Sequence, residues 1–193
     1  MKTDTELETE RLILRPWTLS QRDREFFHFI LSDATVRRFY VTKLDRHEAD
    51  KRIEKLVASL GDTELEWGAA CLKSTGQPVG ITGLAHVSYE TSFTPCVEIG
   101  WLYDPEFWGR GLATEAGKAL IQHGFEDAGL EEIVAFAVQD NHASVSVMQR
   151  IGMERVEDGE FDHPGVPDSH AHLKRHVLYN ISADNWRDQA QLA

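Results

Sequence analysis

Cysteine is scarce in this chain of 193 residues: Cys71 and Cys96 are the whole supply, and they form no metal-spaced pair. That excludes a metal site built on paired thiols and points to reduced cysteines, packed as small core residues, in a cytoplasmic protein. Basic residues are outnumbered too, with Lys plus Arg at 20 against 32 Asp plus Glu and a formal net charge of -12. A broad basic face for duplex nucleic acid is therefore not expected, and an amine-bearing partner fits better. No apolar run is long enough to span a bilayer, so no membrane partner is expected. Met1 to Glu10 alternates Thr with acidic residues where a secretory leader would carry a basic patch and an apolar run. The Gly-Lys-Ser/Thr ending of a nucleotidase P-loop is missing as well.

What the chain does have is a length suited to one α/β domain and a change of periodicity along it. Arg11 to Trp17 alternates as a first strand closed by Pro16. Ser20 can cap a helix in which Phe26 with Ile30 and Phe27 with Leu31 make i,i+4 pairs. Asp45 can cap a second, whose stripe of Ala49, Ile53, Leu56, Val57 and Leu60 ends at Gly61. Three strands then follow as an antiparallel meander: Trp67 to Leu72, Val79 to Val87, and Val97 to Tyr103. In the last, Glu98, Gly100 and Leu102 lie on the face opposite Val97, Ile99 and Trp101. A helix from Leu112 to near Gly129, a strand over Ile133 to Val138 and a helix from Asn141 to Ile151 complete a crossover unit. Met153 to Val156 and Leu173 to Ile181 read as two more strands.

The most informative stretch is VEIGWLYDPEFWGRGLATEAGK, Val97 to Lys118. A strand passes through an acidic-aromatic turn into Gly109, Arg110 and Gly111, and then directly into a helix. A helix that begins behind glycines leaves backbone N–H groups without internal partners, free to point at an anion. Glycine, lacking Cβ, lets the main chain approach a diphosphate closely.

Taken with ETERLILRPW before it and QDNHASVSVMQRIGM after it, the stretch resembles the GNAT superfamily of acyl-CoA-dependent N-acetyltransferases. The likeness runs from about Glu8 to Ile181 and is greatest to the RimJ/RimL-like branch. It implies a GNAT fold of the α/β (α+β) class: a central, mixed, mostly antiparallel twisted sheet of six to seven strands with about four helices. The core would cover about 8–181, with a C-terminal tail over 182–193. The superfamily loop is usually written Gln/Arg-x-x-Gly-x-Gly/Ala; Trp108, Gly109, Arg110, Gly111, Leu112 and Ala113 hold its positions, and Trp108 departs from the first.

The resemblance implies acetyl-CoA as cosubstrate and no metal. The pantetheine arm would run beside Leu102 and Tyr103, and the diphosphate would meet N–H groups from Gly109 to Thr114. Arg110 and Thr114 would add side-chain contacts, and Asn141 would contact the cofactor or serve as an N-cap. The reaction implied is direct attack of a primary amine on the thioester, with the N–H of Leu102 as oxyanion donor. Glu98 is the base by position, with His86 and Glu90 in reserve. The family's usual Tyr acid falls on Met148, whose thioether gives no proton, which leaves Ser144 as the substitute. His163, His170, His172 and His176 form a cluster too spread out to read as zinc-binding; their loop borders the acceptor pocket or is a solvated hairpin tip. Phe39, Tyr40 and Trp67 are candidates for the other wall, or for core packing. Branch resemblance suggests a protein N-terminal α-amino group, as in ribosomal-protein acetylation. Small amines such as polyamines or antibiotics, and a noncatalytic acyl-CoA-binding module, are the alternatives. A homodimer is left open.

Overall fold

Both early helices begin where a short polar side chain can satisfy an orphan N–H. The computed structural model, which describes residues 6–60 and 67–191, places α1 at Gln21–Ser32 and α2 at Arg46–Ala58. Ser20 accepts from the Asp23 N–H, and Asp45 with Glu48 forms a reciprocal capping box, both bonds at 2.8 Å. The expected stop of α2 at Gly61 lies outside the described residues. Asp23 is 1% exposed, and Arg15 grips it through two bonds of 2.8 Å while Thr18 donates both its N–H and its hydroxyl. Burial alone would raise this carboxyl, but those donors prevail and hold it below its ordinary value.

The described strands form one sheet of nine, with the path β1 (Leu7–Glu8), β2 (Leu12–Arg15), β3 (Trp67–Leu72), β4 (Pro78–His86), β5 (Val97–Tyr103), β6 (Glu132–Val138), β9 (Arg175–Ser182) and β7 (Glu154–Arg155). β8 (Phe161–Asp162) pairs with the same edge of β9 as β7. Only β5 and β6 run parallel. The GNAT-type mixed, mostly antiparallel sheet is as expected, but the count exceeds six to seven. The extra strands, β1 and β8, have two residues each and are too short to show a period of two.

α3 (Leu112–Glu126) and α4 (His142–Arg150) cover one face of the sheet, and α1 with α2 covers the other. On the α3 side the core gathers Leu12, Val79, Leu84, Ile99, Ile121, Ile133 and Ile181; on the α1 side it gathers Trp17, Phe27, Ile30, Ile53 and Ile81. In the C-terminal segment, α5 spans Ala183–Gln191. Ala183 is buried and Trp186 packs on Phe125 with ring centroids 5.5 Å apart, so apolar contacts anchor a segment that is polar overall.

Candidate functional site

The site begins where two strands part. β5 and β6 share one register pair, Glu98 with Val134, and beyond it β5 is bonded only to β4 while β6 is bonded to β9. A slot therefore opens toward the C-terminal end of β5. Ladder phase decides which backbone groups face it. Asp104 donates to Val79 and Val87 donates to Cys96, so even-numbered residues of β5 bond to β4 and odd-numbered ones point to the slot. This corrects the expected oxyanion donor: the N–H of Leu102 belongs to the β4 ladder, opposite Ile81, and the groups facing the slot are those of Trp101 and Tyr103.

The side chains obey the expected alternation. Val97, Ile99 and Tyr103 enter the core under α3, with Trp101 packed against it, while Leu102 packs on the α1 side with Trp67. Glu98 shares that second face and lines a cavity of about 490 Å³. Burial pushes its carboxyl up to about 7, because a charged carboxylate there would lose its water. Ser144, Asn141 and Met148 line the same cavity, Met148 being 1% exposed. Asn141 is the N-cap of α4: its side chain accepts the Ser144 N–H at 3.3 Å.

Phe39, Tyr40 and Trp67 line the cavity as the opposite wall, and His163 and His176 line it from the β8–β9 side. Their rings lie 5.0 Å apart among Tyr89, Phe136 and Phe161, and burial, ahead of smaller effects, holds both imidazoles below their ordinary pKa. His170 and His172 do not reach the cavity, and neither does Glu90; His86 lines it from the end of β4. Among the described residues, no three His, Cys, Asp or Glu side chains are grouped to hold a metal ion. Both cysteines are free, and burial, the larger cause in each, raises both thiols, Cys96 to about 11.

The glycine loop follows β5 through a short 3-10 turn at Pro105–Phe107. Gly109 and Gly111 have φ of 72° and 78°, and Gly111 caps α3 with no side chain satisfying the first N–H groups. Nothing lies within 4 Å of where a Cβ on Gly109 would stand. Leu112 buries its side chain in the core, so only its backbone faces outward. This cradle of open N–H groups at a helix N-terminus fits a diphosphate. Trp108, 42% exposed, closes the loop back on its strand: its indole N–H donates to the Tyr103 carbonyl at 2.7 Å, and Arg38 sits 4.8 Å from the ring centroid. Arg110 turns toward Phe107, 5.0 Å from its ring centroid, and its carbonyl accepts from Arg11 at 2.8 Å. From behind, Glu115 receives the Arg11 N–H at 2.7 Å, the Arg11 guanidinium at 2.6 Å and the Thr9 hydroxyl, which ties the loop to the first hairpin.

Sequence reasoning missed Arg37, Arg52 and Tyr89, all of which line the cavity. Their only local signal is an Arg-Arg pair within a short aromatic stretch, Arg37 to Tyr40, for the first of them.

Comparison with known proteins bears on the whole assembly. The family model described as Acetyltransferase (GNAT) domain matches residues 11–154. An uncharacterized N-acetyltransferase, YnaD, of Bacillus subtilis (strain 168) is 40% identical over 58 residues, which are 30% of this chain and 34% of that relative. A crystal structure of a GNAT-family acetyltransferase from Bacillus anthracis superposes with a TM-score of 0.73 at 23% identity, covering 93% of this chain and 99% of that one. The ribosomal-protein-S5-alanine acetyltransferase of Vibrio fischeri superposes with a TM-score of 0.70 at 18% identity, covering 95% and 99%. At such identities the superpositions speak for the fold alone.

Proposed function

The chain belongs to the GNAT acetyltransferase family, and we propose that it moves an acetyl group from acetyl-CoA to a primary amine by direct attack on the thioester. One observation carries this: Glu98 lies half-buried on β5 beside the slot and lines the cavity, and loss of water raises its carboxyl to about 7, a value suited to a base that takes a proton near neutrality. The reaction needs such a group, because an α-amine has a reference pKa of about 8 and a lysine of about 10.4.

In this reading the N–H groups from Gly109 to Thr114 bind the diphosphate, while the slot-facing backbone of Trp101 and Tyr103 lies along the pantetheine arm. The bound cosubstrate supplies the acyl thioester. Glu98 takes the amine proton through a water, a slot-facing N–H of β5 stabilises negative charge on the carbonyl oxygen, and Ser144 donates to the departing sulfur. The acceptor we propose is a protein N-terminal α-amino group, in keeping with the branch resemblance and the name of the Vibrio fischeri protein. A small amine is the second reading, favoured by a cavity walled on several sides by Phe27, Phe39, Trp67 and Phe136. We place the reaction in the cytoplasm, where both cysteines persist as thiols.

The test is release of free thiol from acetyl-CoA across a panel of N-terminal peptides, polyamines and aminoglycosides. Glu98→Gln should slow release at least a hundredfold with CoA affinity held within threefold, and Ser144→Ala should lower kcat about tenfold. Tight CoA binding without turnover on any acceptor would identify a noncatalytic acyl-CoA-binding module instead.

A further inference from the structure

Arg37 is 7% exposed, yet among the described residues no Asp or Glu pairs with it. Arg15, by contrast, is matched by Asp23. Nε and Nη2 of Arg37 both donate to the Thr42 carbonyl, at 3.2 and 3.0 Å, and its Cζ sits 3.7 Å from the centroid of the Tyr40 ring. Those contacts fix the plane of the guanidinium. They leave its end-on edge, Nη1 with the outer hydrogen of Nη2, without an acceptor among the described residues, and that edge is the one that meets a carboxylate with two parallel bonds.

Arg37 lines the same cavity as Glu98, and Arg52 of α2 lines it as well. Tyr40 stands between the two signs: beyond the dominant effect of burial, Arg37 and Arg52 draw its phenol pKa down and Glu98 pushes it up. The cavity thus holds a carboxyl at β5 and two guanidiniums, one ahead of α2 and one on it. A buried guanidinium without a counter-charge is costly to maintain, and a ligand that brings the counter-charge recovers that cost on binding.

We infer that the acceptor carries a carboxylate beside its amine, and that Arg37, flanked by Arg52, receives that carboxylate while the amine lies at Glu98. This rests on the acetyl-transfer reading above. The shared chemistry is that of a free amino acid or of a peptide whose first residue is acidic.

Thiol release from acetyl-CoA, measured with matched acceptors, tests it: an α-amino acid against its carboxamide, and a peptide amide beginning with Glu against one beginning with Gln. In one pair the acid should show a KM at least tenfold lower than its neutral partner, and which pair responds identifies the source. Arg37→Met should raise KM for that acid at least tenfold more than for its neutral partner and leave the calorimetric CoA affinity unchanged. Arg37→Lys should recover part of the loss. Arg52→Gln, a change on an exposed helix face, should raise KM for the acid about threefold and serves if Arg37→Met fails to fold. Equal KM values within both pairs would overturn the inference while acetyl transfer stands, and so would loss of CoA affinity in either variant, which would assign the arginines to the donor. Absence of turnover on every acceptor would overturn the acetyl-transfer reading itself, and this inference with it.

Discussion

The indole of Trp67 on β3 occupies the space above Gly100 on β5: a Cβ at Gly100 would fall 2.3 Å from the ring's Cη2. Glycine there lets an aromatic wall close down on the strand two residues from Glu98, whose carboxyl is raised by loss of water. Gly100→Ala should force the indole outward at a cost of about 1–3 kcal/mol, as overpacking does. Thermal unfolding should report the loss. Calorimetry should show CoA binding retained, because the α3 cradle is untouched.

The Glu98 carboxyl, at about 7 in the fold against about 4.3 when unfolded, sets two opposite pH trends. As a base it works only when ionised, so kcat/KM should fall tenfold per pH unit below about 7, and Glu98→Gln should abolish that limb. For stability the folded chain binds the extra proton between about 4.3 and 7, so the Glu98 contribution should decline as pH rises through that window and level off above it. Denaturant unfolding of wild type and Glu98→Gln at several pH values would measure the difference.

Asp23 and Arg15 show what a buried pair does when nothing replaces it. Asp23→Ala would leave Arg15 and the Thr18 donors facing a void, at a cost of about 3–5 kcal/mol. The folded Asp23 pKa is depressed, so the stabilisation is complete above the unfolded value of about 3.9 and is lost as pH falls through the lower folded value. Acid unfolding should therefore shift to higher pH in a variant that retains a fold, such as Asp23→Asn.

Glu115 links the glycine loop to the first hairpin. Burial raises its carboxyl and bonds from Thr9 and Arg11 more than offset that, holding it below its ordinary value. Glu115→Gln should weaken CoA affinity about tenfold by loosening the Arg11 contact with the Arg110 carbonyl. It should destabilise the fold by about 1–3 kcal/mol, the range for a lost charge-assisted bond. Calorimetry of CoA binding beside thermal unfolding would check both.

Much of this was legible in the order of residues. The caps at Ser20, Asp45 and Asn141, the glycines at 109 and 111, and the alternation that sets Glu98 against Val97 and Ile99 are local rules, acting over one to four residues, and the chain obeys them. Such rules place the proposed base, Glu98, and the glycine loop on one strand–helix unit. They do not reach across the sheet. Which N–H of β5 faces the slot depends on hydrogen-bond phase with β4, and one residue of phase exchanged Leu102 for its neighbours. That Arg37 and Arg52 line the same cavity as Glu98 depends on segments more than 45 positions apart in the chain, and α5 depends on Trp186 finding Phe125. Local geometry follows from each residue's own torsions and nearest neighbours, whereas those juxtapositions exist only after the whole sheet has closed.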